Sequence, residues 1–131
     1  MYYYERDYIM RLIHGIARML ARMLFGDELR EDGELLTVMD TAGREKLDYL
    51  RLMVDSGQIN AAEEKLFDLL ESTAWEARRK AALIIAFYDC VNDRDDDFLA
   101  AANFPREEII SGLEDAMKAL DMEIPEFLRI E

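Results

Sequence analysis

Residues 74–91 read AWEARRKAALIIAFYDCV, and the fold turns on how much of this stretch is apolar. Wound at 3.6 residues per turn, it places Ala77, Ala81, Ile84, Tyr88 and Val91 on one stripe, with Leu83 and Phe87 on the flank. An apolar surface that wide predicts a helix enclosed by others, so the rest of the chain is expected to surround it.

Upstream, residues 44–72 read as a helical hairpin. Its first helix begins at Arg44, carries Leu47, Leu50, Leu52, Met53 and Val54, and stops at Ser56-Gly57, where Gly57 suits a C-cap. Its second begins with Asn60 as N-cap, turns Ala62, Leu66, Phe67, Leu69 and Leu70 inward, and ends near Ser72-Thr73. Further upstream, from Asp7 to Phe25, Ile9, Leu12, Ile13, Ile16, Leu20, Met23 and Leu24 follow the i, i+3, i+4, i+7 pattern with Arg11, Arg18 and Arg22 opposite. Gly26 ends that helix. The stretch from Gly26 to Gly43 has weak periodicity and predicts a connection containing a short helix over Glu34–Met39.

Downstream, an acidic run follows Asn92, and Phe98–Ala102 predicts one or two helical turns. Pro105 then opens a helix in which Glu107 and Glu108 suit the positive N-terminal dipole, with Ile109, Leu113, Ala116, Met117 and Leu120 inside. Ile124-Pro125 breaks the pattern. The expectation is one all-α domain over residues 1–131, with about five main helices in a helical-hairpin array around a central buried helix.

Composition bounds the function. A chain of 131 residues buries enough surface for a core without staples. Cys90 is the single cysteine and has no internal disulfide partner, which fits a cytoplasmic protein. The longest apolar run, Ala81–Tyr88, falls far below the roughly 20 residues needed to cross a bilayer. Glu5, Arg6, Asp7, Arg11 and Arg18 interrupt the N-terminal apolar positions, against the pattern of a signal peptide. The formal net charge of −13 repels a phosphate backbone, so no nucleic-acid partner is expected. The charge is uneven: residues 1–25 carry four arginines against Glu5 and Asp7, a net +2, which leaves −15 for the remainder.

Patterns that carry chemistry resolve into plainer roles. Asp93-Arg94-Asp95-Asp96-Asp97 offers alternating carboxylates like the start of a calcium loop, but Phe98 stands where that loop turns on glycine and Phe104 where a Glu closes it. The run is read as a solvated loop with acids at a helix start, and no metal is assigned. His14 is the only histidine and falls beside Arg18 on the polar edge of its helix. Cys90, between Asp89 and Asp93, is read as a small packing residue, since acidic neighbours oppose a thiolate. Glu63, Glu64, Glu71 and Glu76 lack the Glu-x-x-His partners of a di-iron bundle and are read as a solvated face. No catalytic residue and no cofactor is assigned.

Two resemblances follow from specific segments. Gly57-Gln58-Ile59-Asn60-Ala61-Ala62-Glu63-Glu64-Lys65-Leu66 resembles the turn and second helix of a tetratricopeptide repeat, in which a small residue (Ala62) allows close helix approach and a large one (Leu66) fills the space beyond. Tyr3–Ile13, the Ala62-Glu63 and Phe67 hairpin, and Asn103–Ile109 with Gly112-Leu113 are similar to a family of small helical bacterial proteins of unknown function. The second resemblance covers most of the chain and implies a bacterial cytosolic protein without lending it an activity.

The function class expected is a non-catalytic protein-interaction module, with Leu12, Ile16, Arg11, Arg18 and Arg22 as candidate surface and a homodimer through the N-terminal helix as one form of it. The alternatives are peripheral attachment to anionic lipid through the amphipathic helix of residues 2–25, and a small-ligand protein with a pocket near Tyr88, Asp89 and His14.

Overall fold

The computed structural model describes residues 2–26 and 39–122, with side chains from Tyr8 onward. Six helices and, among the described residues, no strand compose it: α1 (Tyr2–Phe25), α2 (Thr41–Asp55), α3 (Ile59–Ser72), α4 (Ala77–Asn92), α5 (Asp96–Ala101) and α6 (Arg106–Ala119). The fold is all-α, as expected, and α5 is the short turn anticipated near Phe98. The expected helix over Glu34–Met39 falls, apart from Met39, outside the described residues.

α4 is the centre. Ala81 to Ile85, Phe87, Tyr88 and Cys90 to Asn92 are all buried, and α1, α2, α3 and α6 pack around it. It begins at Ala77, three residues later than the periodicity suggests, because Glu76 is extended and caps it, and the Arg79 guanidinium lies 4.3 Å over the Trp75 ring beside the helix start. α1 runs antiparallel to α4: Arg78 stacks on Phe25 at one end, and Asn92 Nδ2 donates to the Met10 carbonyl at 2.9 Å near the other. α6 also runs antiparallel to α4, from Arg106 beside Asn92 to Gly112 against Tyr88.

α2 and α3 form the expected hairpin with adjusted ends. α2 starts at Thr41, not Arg44, because Asp40 caps it by accepting from the Gly43 amide at 2.8 Å. Gly57, at φ +84°, closes it: its amide donates to Val54 O and the Gln58 amide to Met53 O, both at 2.9 Å, satisfying two carbonyls the helix leaves open. Asn60 is not the cap of α3; it lies inside the helix and its amide donates to the Ala102 and Asn103 carbonyls at 3.3 Å, tying α3 to the end of α5. Ala62 and Leu66 are fully buried. Three residues read as inward from periodicity are not: Ala77 is exposed as the first residue of α4, and Met23 and Leu52 are exposed because each lies on an outer face of its helix.

Arg106 ties the C-terminal half together. It is buried, and its five N–H groups are all engaged: Nη1 donates to Asn92 O and Oδ1 at 2.8 and 2.9 Å, Nη2 to Arg94 O and Asp96 Oδ1 at 2.8 and 2.7 Å, and Nε to Asp96 Oδ1 at 3.2 Å. Since Asn92 also holds Met10, one guanidinium links α1, α4, α5 and α6. Replacing Arg106 by Met strands these buried acceptors, and is expected to lower unfolding stability by about 3 kcal/mol, read from the urea midpoint. Lys, with three donors on a point charge, recovers only a fraction of that.

Candidate interaction surface

α1 presents two apolar faces. The inner one, Ile13, Ile16, Ala17, Leu20, Ala21 and Phe25, is in the core. Ile16 is only 4 % exposed, so it belongs to the core and not to a surface open to partners; Leu12 is half-buried on the border. The outer face carries Tyr8 (59 % exposed), Leu12, Gly15, Met19 (41 %) and Met23 (59 %), spaced so that they line one side of the helix. Arg11, Arg18 and Arg22 are exposed and edge this line on the side away from the core. The structure thus keeps the arginines beside an apolar stripe but replaces Ile16 with Met19 and Met23.

A second exposed apolar site lies on the outer face of α2, where Tyr49 and Leu52 (68 % exposed) sit among Glu45 and Asp48. The Lys65 ammonium rests 5.8 Å over the Tyr49 ring, and Arg44 and Arg51 occupy the far edge.

The other residues singled out from sequence have structural partners. His14 Nδ1 stands 3.0 Å from Asp89 Oδ1 at the surface between α1 and α4. Tyr88 faces elsewhere: it is buried, and its hydroxyl donates to Glu63 Oε2 at 2.6 Å. The pocket suggested near Tyr88, Asp89 and His14 is therefore divided by α4 itself. Glu63, read as solvated, is a half-buried acceptor; burial pushes its carboxyl above the ordinary value, partly opposed by the Tyr88 hydrogen bond, with Glu108 and Asp115 adding to the rise. Burial, reinforced by Glu63, pushes the Tyr88 phenol up and keeps it protonated as the donor. Gly112 completes the group, since any Cβ there would stand 2.6 Å from the Tyr88 hydroxyl oxygen.

In the acidic run, Asp95 caps α5 by accepting from the Phe98 amide at 2.8 Å and Asp96 holds Arg106. Among the described residues, no group of three or more His, Cys, Asp or Glu side chains is placed to hold a metal ion. Cys90 is buried and unpaired, with Arg94 Nη2 3.8 Å from its sulfur, a basic neighbour that the sequence order hid behind Asp89 and Asp93. A crevice between α1, α2 and α4 is lined by Phe25, Met39, Gly43, Trp75 and Ala82, with the Asp40–Arg79 ion pair across it at 2.5 Å. No described helix is long and apolar enough to cross a membrane.

Two features escaped the sequence reading. Arg106 left one signal: a base at the first position of a helix that continues Glu107-Glu108 has the wrong sign for the dipole, which points to an engagement elsewhere. The Tyr88–Glu63–Gly112 group left none, since it unites three helices.

A model of a family of unknown function, DUF6483, matches residues 3–121. No curated protein and no solved structure matches the chain.

The Glu63 carboxyl has a definite pH signature. A group whose folded value is raised contributes stability that is fully present below its unfolded value, 4.5, and is lost as pH rises through the folded value. Glu63→Gln keeps an acceptor for the Tyr88 hydroxyl and removes the charge. Thermal melts are expected to coincide with wild type at about pH 4 and to show the variant more stable at about pH 7; an equal difference at both would contradict the burial assigned to this group.

Proposed function

We propose that this chain, which belongs to the family of unknown function DUF6483, is a non-catalytic protein-interaction module whose docking surface is the outer face of α1. The observation that carries this reading is the line of Tyr8, Met19 and Met23, exposed together on one helix. Monomer surfaces scatter single apolar residues, whereas several large ones on one side of one helix mark a place where another surface sits. Arg11, Arg18 and Arg22 along its edge give such a contact direction and register.

The α2–α3 hairpin supports the same class. The reading rests here on the tetratricopeptide resemblance of its sequence, whose small Ala62 and large Leu66 are both buried, and on the use of repeats of that kind as binding scaffolds. Tyr88 with Glu63, and Arg106 with Asn92, bind one another inside the fold, which favours a surface over a pocket as the working part. A bacterial cytoplasmic setting rests on the family resemblance and the lone buried Cys90. A homodimer through α1 is the simplest form of the proposal. The exposed arginines beside an apolar stripe favour, as a second reading, attachment of α1 to an anionic membrane surface.

Affinity capture of the tagged full chain from its native lysate tests the first reading, with a Met19→Glu/Met23→Glu variant as control. A specific protein is expected to be retained by wild type and lost from the variant, with both equally helical by circular dichroism. Retention of the same proteins by both forms would end the reading. Co-flotation of wild type, but not the variant, with vesicles containing anionic lipid would replace it by the membrane one.

A further inference from the structure

Residues 123–131, EIPEFLRIE, lie outside the described residues, and their composition complements the exposed face of α1. Ile124, Phe127, Leu128 and Ile130 are large and apolar, and Glu123, Glu126 and Glu131 stand against Arg129 alone. On α1, Tyr8, Met19 and Met23 are exposed, and residues 8–25 hold Arg11, Arg18 and Arg22 with no acid. An acidic, apolar segment therefore meets in α1 a face that matches it in both respects. Tyr49 and Leu52 on α2, the other large apolar groups that the described residues expose, stand among both signs, Glu45 and Asp48 with Arg44, Lys46 and Arg51, so that face has no such preference.

The fold delivers the segment to one end of the stripe. α1 and α6 both run antiparallel to α4 and pack against each other, so they run parallel and finish at the same end of α4, where Met23 and Phe25 close α1. α6 stops short of Asp121, which has φ +60°. The Asp121 amide donates to Lys118 O at 2.9 Å and the Met122 amide to Met117 O at 3.0 Å, the pair of bonds that ends a helix on a left-handed residue and turns the chain off its axis. Met122 is half-buried against the core, so the turned chain stays on the body of the protein. From there the nine residues 123–131 reach at most about 30 Å. The stripe from Met23 back to Tyr8 spans about 22 Å at 1.5 Å per residue.

We infer that residues 123–131 fold back over the outer face of α1 in the same chain, their apolar side chains on Tyr8, Met19 and Met23 and their glutamates toward Arg11, Arg18 and Arg22. This rests on the reading of α1 as a docking surface and names its occupant in the free protein, so that a partner protein binds there by displacing the segment. Contact removes apolar area from water on both sides, and the short tether spares the segment most of the entropy that a separate molecule loses on association.

Photo-crosslinking of the full chain tests it, with p-benzoylphenylalanine in place of Met19 or, in a second protein, of Met23, and mass spectrometry of isotopically light and heavy protein mixed one to one. Both positions are exposed and carry the probe outside the core. Crosslinks to residues 123–131 are expected, light to light and heavy to heavy, fainter as salt is raised from about 0.05 to 0.5 M, where the screening length shortens severalfold. Phe127→Glu/Leu128→Glu is expected to abolish them with helicity by circular dichroism unchanged. Crosslinks that join light to heavy would overturn the inference in favour of a second copy. Absence of crosslinks to residues 123–131 from both positions, or their persistence in Phe127→Glu/Leu128→Glu, would overturn it outright. In those cases a partner captured by wild type and lost from Met19→Glu/Met23→Glu would leave the broader docking reading standing, whereas crosslinks within the chain and no captured partner would keep the inference and end that reading.

Discussion

A helix apolar around most of its circumference has one stable place in a domain of this size, the middle, and the enclosure of α4 is the constraint from which the other placements follow. Its buried positions point toward α1, α2, α3 and α6 at once, and each of those helices covers part of it with one apolar face. Burial of a Leu- or Ile-sized side chain contributes about 1.5–3 kcal/mol, so leaving even one side of α4 open would remove several such terms. The neighbours therefore give their inner stripes to α4, and their outer faces become the surface through which the protein meets anything else.

Polar groups fix what hydrophobic contact alone leaves free. Apolar stripes tolerate sliding and rotation, whereas the Arg106 fork accepts only acceptors at the right distances and angles. By holding the end of α4, the start of α5 and, through Asn92, the backbone of α1, it sets the register of three helices against the fourth. The Tyr88–Glu63 bond does the same for α3 and α4, and Gly112 lets α6 approach the pair closely. The core is thus specified by two buried polar sets embedded in an aliphatic cluster.

The outer surface inherits an asymmetry from this arrangement. Because α1 needs only one stripe to cover α4, its second apolar line at Tyr8, Met19 and Met23 has no role in the core. The same holds for Tyr49 and Leu52 on α2, whose inner face is already supplied by Leu47, Leu50 and Val54. Exposed apolar groups beyond what folding uses are what association in water draws on.

The sequence by itself determined the helical class, the existence of each main helix and the central position of α4, because the 3.6-residue apolar period and the width of its stripe are local properties. It also placed Gly57 at a helix end, since a left-handed backbone favours glycine. Tertiary structure decided the rest. Met23 and Leu52 fit the apolar pattern of their helices yet face outward, because a neighbouring helix, not a period, decides which apolar face is covered. Ile16 joined the core while Met19 stayed outside for the same reason. Glu63, Tyr88, Gly112 and Arg106 took their roles only when helices distant in sequence met, since a hydrogen bond between residues 25 apart and a guanidinium shared by several helices exist only in the folded chain.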